Sequence, residues 1–143
     1  VGDGSIKKSL KAKANENIKF YDFLDAVSVM NLVSKAKAFI HAGVEDFGIA
    51  PVEAQSCGTP VIAFNKGGVS ETVVNGKTGV LFEYQTAGAI LDAIKRFNKI
   101  KFNYRLISEH AANYSEEKFI SNVKKYVESK LHNLKDNNEK EKG

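Results

Sequence analysis

The sequence is poor in the residues that cross-link small proteins or bind metal ions. Among its 143 residues are one cysteine, Cys57, two prolines and no tryptophan. A single cysteine cannot form an intramolecular disulfide, and it has no second cysteine with which to share a zinc ion. Because such cysteine usage is typical of reducing compartments, we expect a cytoplasmic protein.

Long hydrophobic runs and a strong excess of one charge are also lacking. No apolar run reaches the roughly 18 residues that a membrane-spanning helix needs, and residues 1–13 lack the apolar stretch of a signal peptide. The 21 Lys and Arg residues exceed the 17 Asp and Glu residues only slightly and are scattered among them. We therefore expect no membrane-spanning segment and no nucleic-acid partner. Peripheral contact with the inner face of a membrane stays open.

Short apolar runs alternate with helical periodicity along the chain. The predicted strands are 18–21, 38–42, 60–64 and 79–82. The predicted helices are 5–13, 26–36, 50–57, 69–74, 86–97, 103–113 and 116–132. This alternation predicts one α/β domain over residues 1–134, with a Rossmann-like, doubly wound parallel sheet. Residues 135–143 contain no apolar residue and are expected to form a disordered tail.

The segment EDFGIAPVE, residues 45–53, lies between a predicted strand and a predicted helix. Doubly wound folds bind ligands at this edge, outside the carboxyl ends of their strands. Pro51 predicts a helix start at Ile49 or Ala50, because proline is tolerated only in the first helical turn. The amides of Gly48, Ile49 and Ala50 would then lack helical acceptors. Together with the helix dipole they predict a phosphate-binding site.

Acidic residues surround this predicted helix start. In the simpler alternative the loop is only structural, and the Asp46 carboxylate caps the helix. Glu45, in the loop, and Glu53, in the first or second helical turn, flank whatever occupies the helix end. A carboxylate accepts paired hydrogen bonds from the vicinal hydroxyls of a ribose or a hexose. Phosphate bound between two polyols describes a nucleotide sugar.

Residues 45–82, EDFGIAPVEAQSCGTPVIAFNKGGVSETVVNGKTGVLF, resemble the donor-binding signature of the retaining GT-B glycosyltransferases of family 4, in which seven residues separate two glutamates. The similarity extends through VGDG at the start, residues 17–40 and YSEEKF at 114–119, and it covers the chain to about residue 127. The resemblance implies that the chain is the C-terminal, donor-binding half of a GT-B fold.

The resemblance also implies roles for individual residues. Glu45 would be the catalytic residue and would bind hydroxyls of the donor sugar, whereas Glu53 would hold the ribose. The backbone amides of Phe47, Gly48 and Ile49 would contact the sugar hydroxyls and the diphosphate.

The base of the nucleotide would lie beside the loop after the first predicted strand. By match to the family, Phe23 and Leu24 would contact the base through backbone groups. Asp22 stands where these proteins usually have glycine. No metal ion and no other cofactor are expected, because enzymes of this architecture are generally metal-independent and the body of the chain has no Asp-x-Asp motif.

The implied activity is transfer of a hexose from a nucleotide diphosphate sugar to a glycan or lipid-linked acceptor in surface polysaccharide synthesis. The sequence of residues 45–64 is similar to that of the mannosyltransferase-like branch of the family. The family relies in addition on an arginine, a lysine and an N-terminal domain, which binds most of the acceptor, all upstream of Val1. We therefore expect a fragment that catalyses nothing alone. The alternative is a nucleotide- or phosphate-binding module or subunit without catalysis of its own.

Other motifs are read as structural. Gly67 and Gly68 predict a tight turn, after which Ser70 or Glu71 caps the next helix. Cys57 is expected to be a buried, small apolar residue. The histidines are expected to be structural or at the surface, with His41 the exception because it lies four residues before Glu45. An apolar stripe on the last helix, formed by Phe119, Val123, Tyr126 and Val127, is expected to pack against the sheet.

Overall fold

A parallel sheet of three strands forms the centre of the fold. The computed structural model describes the backbone of residues 1–140 and the side chains of residues 1–131. Within that part of the chain the strands are β1 (Phe39–His41), β2 (Val61–Phe64) and β3 (Gly79–Phe82). Their order is β1-β2-β3, both pairs are parallel, and the register aligns Phe39 with Val61 and Val61 with Gly79.

Seven α-helices and one 3₁₀ turn accompany this sheet in the described residues. In chain order they are α1 (Lys7–Lys13), α2 (Ala26–Ser34), α3 (Ile49–Ser56), α4 (Val69–Thr72), α5 (Ala87–Phe97), α6 (Tyr104–Ala111), the 3₁₀ turn Ala112–Tyr114 and α7 (Glu116–Lys140). Helices α3 and α4 connect successive parallel strands, as parallel pairing requires.

Both faces of the sheet are covered by apolar side chains. One face packs against α2, α3 and α4 through Ala54, Val61, Ala63, Val69 and Val73, with Val33, Phe39 and Leu81 at its margin. The opposite face packs against α5 through Ile62, Val80, Phe82 and Ala93. A parallel sheet buried on both faces has near-continuous apolar strands, and the sequence VIAF of β2 shows this. The predicted α/β, doubly wound fold class is therefore confirmed.

The predicted strand at residues 18–21 is wrong. These residues form no strand in the described part of the chain. A strand needs a ladder of consecutive bonds, and this segment receives one backbone bond from a neighbouring segment, from the Gly2 amide to the Tyr21 carbonyl at 3.0 Å. The apolar pattern is typical of a strand, but a ladder also depends on which segment of the chain lies beside it.

The apolar stripe of α7 does not pack against the sheet, so that prediction is also wrong. Phe119 is 67% exposed and Tyr126 64% exposed, and α7 packs against the 3₁₀ turn that precedes it. The helix continues to Lys140, so the expected tail at 135–143 overlaps α7 up to residue 140, and residues 141–143 lie outside the described range. No helix in the described residues has the length and apolar character needed to cross a membrane.

Candidate functional site

The loop from β1 to α3 places residues 42–48 at the carboxyl edge of the sheet. Helix α3 begins at Ile49, as Pro51 predicts. Gly48 precedes it in the left-handed conformation, with φ +79° and ψ 56°. A Cβ atom at Gly48 would lie 3.2 Å from Cγ1 of Val69. Glycine is therefore required here both for the backbone angle and for the close approach of α4.

The N-terminus of α3 is open. Its first residue follows Gly48, and no side chain accepts a hydrogen bond there, so the alternative in which Asp46 caps the helix is wrong. Four other helices are capped by the side chain that precedes them. These caps are Asp25 on α2, Thr86 on α5, Asn103 on α6 and Ser115 on α7. The first amides of α3 thus remain available to an anion, with the positive end of the helix dipole behind them.

The loop between β2 and α4, which contains Gly67 and Gly68, packs against the backbone of Glu45 and Phe47. The Gly68 amide donates to the Glu45 carbonyl at 2.9 Å, and Gly67 forms a parallel β-bridge with Glu45. A Cβ atom at Gly67 would collide with the Glu45 backbone, and one at Gly68 with the Phe47 backbone. The two glycines let the loops approach at backbone contact distance, which the predicted tight turn did not anticipate.

The predicted cap on α4 is wrong. The helix starts after Gly68 without a side-chain cap. Instead, the Ser70 hydroxyl donates back to the Gly67 carbonyl at 2.7 Å, and the Glu71 side chain lies in the first turn without capping it. Ser70 therefore stabilises the turn of the β2–α4 loop rather than the helix end.

Phe47 has a partner that sequence reasoning missed. The Phe47 side chain is 50% exposed, and the edge of its ring meets Tyr114, with the ring centroids 6.4 Å apart. The Tyr114 hydroxyl donates to the Glu71 carbonyl at 2.9 Å, and His110 Nε2 bonds the Thr72 carbonyl at 3.0 Å. Tyr114 and His110, which are distant in sequence from Phe47, thus hold the β1–α3 loop and α4 together. This role also confirms the structural interpretation of His110.

Glu53 lies on the second turn of α3, at the wall of a cavity of about 230 Å³ between α2 and α3. The other residues of this wall are mostly apolar and come from both helices and β1: Ala26, Val29, Met30, Val33, Phe39, Ala50, Ala54, Ser56 and Cys57. Cys57 is half-buried rather than buried, because its side chain reaches this cavity. The arrangement is an apolar recess with one carboxylate at its edge.

The loop of Phe23 and Leu24 directly precedes α2, which forms one wall of this cavity. Phe23 is 89% exposed, and Leu24 lines a separate groove with α2 residues Ser28 and Asn31. Their side chains therefore do not form the cavity wall, and the structure brings Ala26 there instead. The next residue, Asp25, accepts hydrogen bonds from the Ser28 hydroxyl and amide at 2.7 and 2.9 Å. These bonds lower the pKa of the Asp25 carboxyl.

His41 ends β1, and its ring packs against Gly43 of the β1–α3 loop, so that a Cβ atom there would lie 3.5 Å from Nε2. Nε2 is buried and has no hydrogen-bond partner among the described residues. The side chain of His132 lies outside the described range. Within that range there is no group of three His, Cys, Asp or Glu side chains arranged to hold a metal ion.

Comparison with known proteins gives a consistent result. Residues 2–125 match the family described as Glycosyl transferases group 1. The chain is 43% identical over 51 residues to D-inositol 3-phosphate glycosyltransferase of Paenarthrobacter aurescens (36% of this chain, 12% of the relative). It is 50% identical over 56 residues to alpha-1,3/1,6-mannosyltransferase ALG2 of Dictyostelium discoideum (39% of this chain, 12% of the relative).

A solved structure supports the fold. The apo form of the lipopolysaccharide outer core galactosyltransferase WaaB superposes with a TM-score of 0.73 at 22% identity, covering 90% of this chain and 39% of that one. The chain thus spans well under half of the length of the proteins that it matches.

Proposed function

The chain belongs to the glycosyl transferases group 1 family, and we propose that it is the donor-binding domain of a retaining transferase that acts on a nucleotide diphosphate sugar. The proposed reaction moves a hexose to a glycan or lipid-linked acceptor in surface polysaccharide synthesis. Its site is in the cytoplasm, with the acceptor bound mainly by a further domain. No metal ion is assigned to the site, as the resemblance implies.

One observation carries this proposal: the uncapped N-terminus of α3 lies between two glutamates. The diphosphate occupies the open helix end, where amides of the first turn and the helix dipole favour negative charge. When the bond between the sugar and the diphosphate breaks, further negative charge develops on the departing phosphate. Amides already oriented toward that point stabilise this charge without having to reorganise.

The two glutamates divide the hydroxyl groups of the donor between them. Glu45 is exposed at the loop end, and backbone contacts with Gly67 and Gly68 hold its main chain. From there its carboxylate accepts from hydroxyls of the sugar. Glu53 is one helical turn further from the helix end and borders the cavity between α2 and α3, so its carboxylate accepts from the ribose hydroxyls.

The Glu53 assignment is tested by calorimetry on the 143-residue chain with a nucleoside diphosphate and with pyrophosphate. Glu53→Ala should weaken nucleoside diphosphate binding about tenfold or more, because the ribose loses a charged acceptor. Pyrophosphate has no ribose, so its affinity should not change. Glu128→Ala, which removes an exposed carboxylate from α7, is the matched control. Equal loss for both ligands, or no loss for either, would remove Glu53 from the ribose site.

The alternative, a binding module without catalysis, is separated from the main proposal by turnover. The chain covers 39% of the galactosyltransferase structure, so catalysis is assayed with whatever polypeptide the gene encodes. Release of nucleoside diphosphate from a nucleotide sugar supports the transferase. Binding without turnover under all acceptor conditions supports the module.

A further inference from the structure

The motif YSEEKF, residues 114–119, carries part of the family resemblance, but none of its residues lines the cavity that Glu53 borders. Its first residue, Tyr114, ends the 3₁₀ turn between α6 and α7. Ser115 caps α7, because its hydroxyl accepts a hydrogen bond from the Lys118 amide at 3.3 Å. The remaining residues of the motif belong to α7 and are exposed, whereas Tyr114 contacts the β1–α3 loop through Phe47.

Tyr114 is held by two neighbouring helices. Its hydroxyl donates to the Glu71 carbonyl of α4 at 2.9 Å. The His110 ring of α6 packs against it edge-on, with the ring centroids 5.5 Å apart, and His110 Nε2 bonds the Thr72 carbonyl of α4 at 3.0 Å. The Tyr114 ring meets Phe47 with the centroids 6.4 Å apart and the planes at 73°. Phe47 thus packs against a side chain whose position α4 and α6 determine.

The contact with Tyr114 acts on the loop between two points that the backbone already fixes. On one side the Gly68 amide donates to the Glu45 carbonyl at 2.9 Å. On the other side the left-handed Gly48 begins α3. Phe47 lies between them, and its ring and amide share one Cα atom, so a fixed ring restricts the direction of the amide. An edge-on aromatic pair stabilises such a contact beyond the area that it buries.

We infer that Tyr114 is a positioning residue for the sugar side of the donor site. This inference rests on the function proposed above, in which Glu45 binds the donor sugar, and on the implied contact between the Phe47 amide and that sugar. Tyr114 acts through the Phe47 ring and keeps the loop in place before a ligand arrives. An ordered loop loses less conformational freedom on binding, so the affinity for the sugar is higher. Glu53 borders the cavity between α2 and α3 instead, so ribose binding does not depend on Tyr114.

Amide hydrogen exchange on the ligand-free, 143-residue chain tests the positioning independently of the reaction. Protection of the Gly68 amide reports how often its bond to the Glu45 carbonyl opens. Tyr114→Leu removes the aromatic ring and should lower this protection about threefold to tenfold, the range that one aromatic pair contributes. The Thr59 amide, which donates to the Ala54 carbonyl at the C-terminal end of α3, should keep its protection. An equal loss at Thr59, or no loss at Gly68, would overturn the inference.

Two further variants show whether the ring itself holds the loop. Tyr114→Phe retains the ring, against which His110 still packs, so it should restore most of the protection at Gly68. Tyr126→Leu removes an exposed tyrosine from α7 and is the matched control, with protection expected as in the wild type. If Tyr114→Phe loses as much protection as Tyr114→Leu, the ring contact with Phe47 is not the cause and the inference fails.

Calorimetry connects this positioning with the donor. UDP and GDP are compared with UDP-glucose and GDP-mannose, so that each nucleoside diphosphate has a partner that carries a hexose. Tyr114→Leu should lower the affinity for the nucleotide sugar about threefold to tenfold. The affinity for the matching nucleoside diphosphate should stay unchanged, because the ribose and the diphosphate keep their contacts. Equal losses for both ligands would contradict a role on the sugar side.

A double variant shows whether Tyr114 acts through Phe47. Phe47→Leu should cause the same loss of nucleotide sugar affinity as Tyr114→Leu, and the double variant should bind no more weakly than either, because both changes remove one contact. Losses that add would mean that Tyr114 acts by another route, against the inference. If the wild type binds none of the four ligands, the proposed function fails, and the exchange measurement at Gly68 still decides whether Tyr114 holds the loop.

Discussion

Helices α2 and α3 form two walls of the same cavity, yet they begin in opposite ways. Asp25 closes the N-terminus of α2 by accepting from the amide and hydroxyl of Ser28. Gly48 precedes α3 in a left-handed conformation and offers no side chain. A capping side chain occupies the space an anion would need, so the difference between these two helices supports the proposal that α3, and not α2, binds the diphosphate.

The open end of α3 has an energetic consequence. A side-chain cap is worth about 1 kcal/mol, which α3 forgoes. Packing offsets this loss: Pro51, Ala54 and Gln55 are buried, and the helix lies against α6 as well as α4. The Gln55 amide also donates to the Pro51 carbonyl at 3.3 Å. The helix is stabilised along its buried side, although its N-terminus has no side-chain cap.

Of the substitutions at these two helix ends, Gly48→Ala should have the largest effect, on both stability and anion affinity. The left-handed backbone angle costs a residue with a Cβ atom about 1–2 kcal/mol, and the new methyl group would crowd Val69 at 3.2 Å. Urea denaturation should show that loss of stability, and calorimetry a weaker affinity for pyrophosphate.

Gly76→Ala is the control for backbone strain. Gly76 has φ +78°, and a Cβ atom there meets nothing within 4 Å. This variant should lose stability from the backbone angle but retain full affinity for pyrophosphate. If Gly48→Ala binds pyrophosphate as tightly as Gly76→Ala does, the end of α3 is not an anion site.

Asp25→Ala should have a smaller effect, confined to stability. Removing the carboxylate leaves the first amides of α2 without their acceptor, so unfolding by urea should occur at a lower concentration, while ligand affinity stays the same. Asp25→Asn retains a capping oxygen and should recover most of the difference near neutral pH.

The free energy of unfolding at acid pH distinguishes these two variants from the wild type. Hydrogen bonds from Ser28 lower the folded-state pKa of Asp25. Its contribution is therefore fully present above the unfolded-state pKa near 4 and is lost as the pH falls through the lower folded-state value. Asp25→Asn should lack this part of the pH dependence. If stability falls with acid pH in Asp25→Asn just as it does in the wild type, the charge of Asp25 does not contribute to stability.

Local chemistry explains which features the sequence predicted. Pro51 alone located the start of α3, because its constraint acts within one turn. The apolar alternation located the three strands of the sheet and the fold class. The family resemblance is confirmed by the match over residues 2–125. The roles of Glu45, Phe47, Gly48, Ile49 and Glu53 stay predictions.

The features that sequence reasoning missed depend on contacts between distant segments. Residues 18–21 lacked a ladder partner, and the stripe of α7 lacked a surface to cover. Asp46 is close enough in sequence to cap α3, but the left-handed turn at Gly48 starts the helix without it. The pairing of Lys7 with Asp22 joins residues 15 positions apart, and no local pattern indicates it.

The most direct test is an amide NMR titration that observes both helix ends together. When the chain binds a nucleoside diphosphate, the amide resonances of Ile49 and Ala50 should shift strongly and saturably, because they gain a phosphate acceptor. The amide of Ser28, already bonded to Asp25, should move little. Shifts at Ser28 as large as those at Ile49, or no shift at the start of α3, would contradict the assignment of α3 as the phosphate-binding helix.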